Sequence, residues 1–207
     1  MSLGFSAFLG LAQFTYAQDE FRHLTFNVGG GYTAVTGNIS DRLDHGGHFQ
    51  AGVGYNFNRH LGILGTFTFH QLGLTGRALS AVDVPDGNSR AYSLTADPKF
   101  TFPLGGLGQF YILAGGGWIR RTVEFTQPTV AQTVVFDPWW GYFGPALIPA
   151  NQVLGSYSLN AGVWDVGGGF NIPLPRARFR LYVEARYYNG ITNTHTELVP
   201  LTVGLRW

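Results

Sequence analysis

From about residue 22 the chain alternates apolar and polar side chains with a period of two, the repeat of a β-strand whose faces meet unlike surroundings. The first run, about 22–35, sets Leu24, Phe26, Val28 and Tyr32 against Thr25, Asn27, Gly29 and Thr33. The second, 48–57, opposes Phe49, Ala51, Val53, Tyr55 and Phe57 to His48, Gln50, Gly52, Gly54 and Asn56. A third spans 61–72, with Ile63, Gly65, Phe67 and Phe69 against Thr66, Thr68 and His70. The fourth, 91–102, places Tyr92, Leu94, Ala96, Phe100 and Phe102 opposite Ser93, Thr95, Asp97, Lys99 and Thr101. Pro98 falls inside it on the apolar side, where it removes a ladder donor unless a bulge takes it up.

The fifth run, 109–124, is apolar on both faces at its start and has the least definite phase. The sixth, 157–171, separates Trp164, Val166 and Phe170 from Asp165, Gly167, Gly169 and Asn171. The seventh is the clearest: Leu181, Val183, Ala185 and Tyr187 alternate with Arg180, Tyr182, Glu184, Arg186 and Tyr188. The eighth, 198–207, sets Val199, Leu201, Val203, Leu205 and Trp207 against Thr202, Gly204 and Arg206. Turns near 58, 104 and 174 are short, and those near 41, 82, 140 and 193 are longer. Short turns at one end and long loops at the other are the plan of an outer-membrane barrel, and runs of about 9–11 residues suffice for a tilted strand to cross the hydrocarbon. The prediction is an all-β protein: an eight-stranded antiparallel up-and-down transmembrane β-barrel.

Alternation alone also fits a soluble barrel with its apolar face inward. Two features favour the opposite orientation. Tyr55, Phe57, Phe100, Phe102, Phe170, Phe179 and Trp207 cluster at strand ends, as an interfacial aromatic girdle requires. Only 12% of the 207 residues are charged while 15% are aromatic, too few charges to clothe a water-facing surface. The 30 glycines and the few charges of both signs fall on the other face, which suits the narrow interior of eight strands. The formal charge of +1 argues against a nucleic-acid binder, and the absence of cysteine removes disulfides and thiolate metal sites. Residues 1–17 are uncharged and apolar and end in Thr15-Tyr16-Ala17 before Gln18-Asp19-Glu20, which reads as a secretory signal peptide preceding a barrel domain over 18–207. No Lys or Arg stands near Met1, so that reading leaves the true start of the chain open.

The closing run Val199-Pro200-Leu201-Thr202-Val203-Gly204-Leu205-Arg206-Trp207, together with Gly54-Tyr55-Asn56-Phe57, resembles the OmpA-, OmpX- and opacity-protein-like group of small outer-membrane barrels. In that group the last strand ends on an aromatic residue, usually Phe; Trp207 takes its place here. The resemblance implies a Gram-negative outer-membrane location among lipid and lipopolysaccharide. It also implies delivery by periplasmic chaperones, and recognition of Leu205 and Trp207 by the barrel-assembly machinery, as a monomer. No peptidoglycan-binding segment follows in the sequence, so that role is not carried over.

Asp97, Lys99, Asp165, Arg180, Glu184 and Arg186 all point to the predicted interior. Isolated charges there would be costly, so they are expected to form a salt-bridged plug. The alternative is a small channel for ions or solutes along the same residues. A lipid A-modifying enzyme is a third reading: His195 and Glu197 invite it, but the serine that such deacylases place two residues after the histidine is missing. No catalytic residue, metal site or cofactor is therefore expected, and His45, His48, His60 and His70 fall at unlike ends of the barrel. The stretch 125–156 is read as a long loop rich in aromatics. In it Trp139, Trp140, Tyr142 and Phe143 are contact candidates, unless the loop folds back as a cap over the mouth.

Overall fold

The computed structural model describes residues 22–139, 141–175, 177–191 and 196–207. Eight strands, β1 (Leu24–Thr36), β2 (Leu43–Asn56), β3 (Leu61–Leu74), β4 (Asp86–Pro103), β5 (Gln109–Asp137), β6 (Tyr142–Pro173), β7 (Arg180–Ile191) and β8 (Thr196–Arg206), form a closed barrel in chain order. Every neighbouring pair is antiparallel, and β1 closes on β8 from Asn27 opposite Arg206 to Thr36 opposite Glu197. Closure leaves no unpaired edge at membrane depth, the condition a strand protein must meet in hydrocarbon. Among the described residues no helix is long and apolar enough to cross a membrane.

Around the middle of the barrel the faces are inverted relative to a soluble barrel. Phe26, Phe67, Leu94, Ile112, Leu201 and Val203 are each exposed, whereas Gln50, Thr66, Thr68, Asp97, Glu184 and Arg186 are buried. Outward rings gather near the short-turn end, where Phe110 lies 5.0 Å from Phe170 and 6.1 Å from Phe102, centroid to centroid. A second set stands near the other end, with Phe69 5.1 Å from Tyr92 and Trp164 5.5 Å from Tyr187. Rings with one apolar and one polar aspect settle at membrane interfaces, so the two sets bracket the hydrocarbon.

The fold differs from the alternation in four places. Pro98 opposes Ile63 on β3 without a bulge; toward β5 the ladder lapses between Ala96–Gly116 and Lys99–Leu113 and resumes in the same register. Asp86, Gly87 and Asn88, which precede the fourth run of alternation at 91–102, already belong to β4, and a short helix at Gly76–Ala81 fills the connection before it, capped by Thr75. The β7–β8 connection is 192–195, shorter than expected. The largest difference is the stretch 125–156, which is not a loop. It continues β5 and β6 as a two-stranded ribbon to Asp137 and Tyr142, turning at Gly141. Gly141 holds a φ of 67°, a left-handed conformation that costs a side chain-bearing residue energy. Beyond Thr126 the ribbon strands have only each other as partners, since β4 ends its pairing there and β7 stops opposite Gly162.

Candidate functional site

Two features are candidates: the cluster of charged side chains in the lumen and the ribbon above it. The lumen is built around β7, where alternation sends Glu184 and Arg186, two residues apart, to the same inner face. Arg186 donates from Nη1 to Asp97 Oδ2 at 2.8 Å and to Asp165 Oδ2 at 3.2 Å, and from Nε to Glu184 Oε1 at 2.7 Å. Its Nη2 donates to Thr66 Oγ1 at 3.2 Å. One guanidinium thus gathers carboxylates from β4, β6 and β7, using the planar fork that suits arginine to several acceptors at once.

Glu184 is itself multiply held, accepting from Gln50 Nε2 at 2.9 Å and from the Tyr111 hydroxyl at 2.7 Å. Arg206 Nη2 lies 3.5 Å from its second oxygen. Three buried carboxylates (Asp97, Asp165, Glu184) share this layer with three buried cations (Lys99, Arg186, Arg206), which balance by count, while a fourth buried cation, Arg121, donates to Thr196 Oγ1 at 3.0 Å toward the ribbon end. Opposite charges and shared hydrogen bonds are what allow charged groups to be buried together. Arg180, which sequence parity put with them, is only half-buried at the short-turn end, where it donates to Gln109 Oε1 at 3.1 Å.

Sequence reasoning left Arg206 out of the plug, together with its tyrosine clamp. The guanidinium lies 4.6 Å from the ring centres of both Tyr111 and Tyr182, a cation held over two π faces. Glycine makes the room: a Cβ on Gly169 would stand 2.6 Å from the Tyr111 hydroxyl, and one on Gly204 2.6 Å from the Tyr182 ring. Tyr182 and Arg206 on the polar faces of β7 and β8, with glycine at 204 between the large side chains, were the available signal. Also unforeseen is a greasy layer above the ions, formed by Val35, Ile39, Leu43, Leu72, Ile119, Val163 and Leu198. Tyr188 joins the layers, packing in this cluster while its hydroxyl lies 3.4 Å from Arg186 Nη1.

The histidines correct the expectation that they stand apart. β2–β3 pairing sets His48 opposite His70, with ring centres 5.7 Å apart, and Thr33 Oγ1 lies 3.1 and 2.9 Å from their Nδ1 atoms. His48 Nε2 is 2.8 Å from Thr202 Oγ1. Among the described residues no three of His, Asp or Glu converge as a metal set. His195 lies outside the described residues, as does the whole segment 1–17.

The ribbon is the lumen's opposite. Asp137 is its only charge between residues 125 and 156. Register places Val130, Val134, Phe136, Phe143, Leu147 and Val153 on one face, all exposed. Trp139 at the tip is 91% exposed and Phe143 72%, while the Phe136 and Phe143 rings meet at 5.2 Å. Tyr142 is exposed beside them, and Trp140 lies outside the described residues. Leu205 and Trp207 face outward at the barrel seam, where Trp207 and Phe26 exchange backbone hydrogen bonds of 2.8 and 2.9 Å.

No curated protein sequence matches the chain. Among solved structures it is similar to Ail, the attachment invasion locus protein of Yersinia pestis, crystallised with the heparin analogue sucrose octasulfate. The identity is 19% over 90% of this chain and 100% of that one, with a TM-score of 0.51. It is also similar to Neisserial surface protein A, at 13% identity over 89% of this chain and 96% of that one, with a TM-score of 0.60. At such identities the likeness establishes the fold alone. The family model for the outer membrane protein beta-barrel domain matches residues 3–206, and the chain belongs to that family of Gram-negative outer-membrane barrels.

Proposed function

We propose that the protein is a closed barrel that performs no turnover and conducts no solute, and that presents the β5–β6 ribbon as a contact surface outside the cell. One observation carries the closed lumen: Arg186, 2% exposed, holds three carboxylates from three strands across the barrel axis. An ion path would have to break that cluster and then pass the apolar layer of Leu72, Ile119 and Leu198. The contact role is supported by the exposed aromatic tip and by the near absence of charge along the ribbon, since large exposed apolar patches mark interaction surfaces. In this reading Asp97, Lys99, Asp165, Glu184 and Arg186 are structural. Leu205 and Trp207 are the signal read by the assembly machinery after periplasmic chaperones deliver the chain.

Planar-bilayer recording tests closure: the refolded protein is expected to give no conductance steps, and steady steps from the wild type would overturn it. Lipid A from overproducing cells is expected to keep its mass, and an altered mass would restore the enzyme reading. The contact role is tested on cells carrying the wild type or a form shortened across residues 128–151. The wild type is expected to bind phosphatidylcholine vesicles or aggregate cells more strongly, and equal behaviour would remove that role.

A further inference from the structure

Charge on the outer wall is nearly absent, and its distribution is uneven. Among the described strand residues, Arg90 on β4 and Arg120 on β5 are the only Lys or Arg that project outward. Lys99, Arg121, Arg186 and Arg206 are buried in the lumen, and Arg180 closes its lower end. The two outward arginines are neighbours. Arg90 opposes Thr122, and Arg120 opposes Tyr92, so they stand diagonally on one face of adjacent strands, about 7–8 Å apart at the backbone.

Their height is informative. The lower aromatic set includes Phe102 on β4 and Phe110 on β5, which are paired. Ten residues separate Phe102 from Tyr92, and ten separate Phe110 from Arg120. At about 3.3 Å per residue and a tilt of about 40°, ten residues climb about 25 Å, the height of the apolar band of such barrels. Arg120 therefore sits at the outer edge of the hydrocarbon, and Arg90 one side chain higher, on the side away from the short turns. That is the depth of the outer leaflet's headgroups.

The surroundings suit an anion there. Arg120 Nη2 donates to Ser158 Oγ at 3.5 Å, and Ser158 Oγ lies 2.9 Å from Thr122 Oγ1. Among the described residues Arg120 thus pairs with a hydroxyl, not a carboxylate. Arg90 Nη2 stands 3.6 Å from Glu124 Oε2, in a pair whose side chains are 41% and 23% exposed. An ion pair that open to solvent is weak, and a second anion can displace it. Just below lie Phe69, Tyr92 and Trp118, an apolar wall against which acyl chains can pack.

We propose that Arg90 and Arg120, with the hydroxyls of Thr122 and Ser158, hold the phosphate of an outer-leaflet lipid whose acyl chains run down past Tyr92 and Trp118. Guanidinium groups grip phosphate through paired, charge-assisted hydrogen bonds, which an interfacial arginine merely reaching for water would not need. The inference rests on the membrane orientation and is independent of the ribbon's contact role.

The test is retention of added lipid by the refolded protein in zwitterionic micelles, read by native mass spectrometry, with heat-dependent gel mobility as the control for folding. The probes are bisphosphorylated lipid A, its dephosphorylated form, and phosphatidylglycerol. Wild type is expected to prefer the phosphorylated form, and R90A/R120A to lose that preference with about a tenfold or larger fall in affinity. E124Q is expected to change binding in the opposite direction, because it frees Arg90 for the phosphate. Arginine-dependent retention of phosphatidylglycerol as well would support the phosphate site and name phospholipid as a ligand, whereas retention of lipid A alone would name the glycolipid. Equal retention by the wild type and the folded double variant, or equal affinity for phosphorylated and dephosphorylated lipid A, would overturn the proposal.

Discussion

Strands β5 and β6 pass through two environments, and each half obeys different rules. Within the wall, from Gln109 to Thr126 and from Gly162 to Pro173, they have a strand on either side, lipid outside and the buried side chains of the lumen inside. Above it, from Gln127 to Asp137 and from Tyr142 to Val153, they have only each other. The walled half tolerates Asp165 because Arg186 meets it, and it uses glycine where Tyr111 needs space. The free half carries one charge, shows its apolar face to the surroundings and buries little. An isolated two-stranded ribbon is marginal in water. The pairing pattern is thus continuous while the stabilisation is not, and substitutions should fall sharply in cost from one half to the other.

The centre of the lumen should be the most sensitive point. R186M leaves Asp97, Asp165 and Glu184 enclosed without their common partner, and breaking a buried ion pair on one side costs about 3–5 kcal/mol. Guanidinium titration of the refolded barrel in vesicles, followed by gel mobility, is expected to give that loss. Combining R186M with D97N should recover part of it, giving a coupling of about 1–3 kcal/mol. Strict additivity would mean that the two side chains do not act as a unit. Next comes the apolar layer, where L72A empties a site that is 2% exposed and should cost about 2–4 kcal/mol in the same titration. R206K keeps the charge but loses the flat stack between Tyr111 and Tyr182. About 1–2 kcal/mol is expected, and an unchanged midpoint would show that the clamp contributes little.

These costs follow features that the sequence reveals unequally. Strand count, the outward apolar face and the inward placement of Glu184 and Arg186 are all legible, because a side-chain period of two translates directly into two faces. The apolar layer is not, because Val35, Leu72, Ile119 and Leu198 look alike whether they face lipid or lumen, and only barrel closure brings them together. Arg206 could be placed inward by parity but not matched with Tyr111 and Tyr182, which belong to other strands. The same limit hid the meeting of His48 and His70, whose spacing in sequence carries no trace of a shared Thr33. The ribbon was obscured differently. Prolines at 128, 145 and 149 and a cluster of aromatics suggest a loop, yet proline is tolerated on strand edges that have no neighbour to bond.

The smallest effect should come from the free half, and it separates pairing from stabilisation. L147A removes as many side-chain atoms as L72A, but from a residue already 72% exposed, so its cost is expected to stay below about 0.5 kcal/mol. Excision goes further. Replacing residues 128–151 with an Asn–Gly turn joins Gln127 to Gln152, which are already directly opposed, and two-residue turns of that kind suit the twist of a hairpin. The shortened barrel should insert, show heat-dependent mobility and unfold at the wild-type denaturant concentration. A clear loss of stability would mean that the ribbon's apolar face packs back on the barrel mouth in the membrane, and that it is a lid and not a surface offered to others. An unchanged midpoint leaves that face with no structural task in the barrel, so the persistence of so much exposed Val, Leu, Phe and Trp must be explained by what lies beyond it.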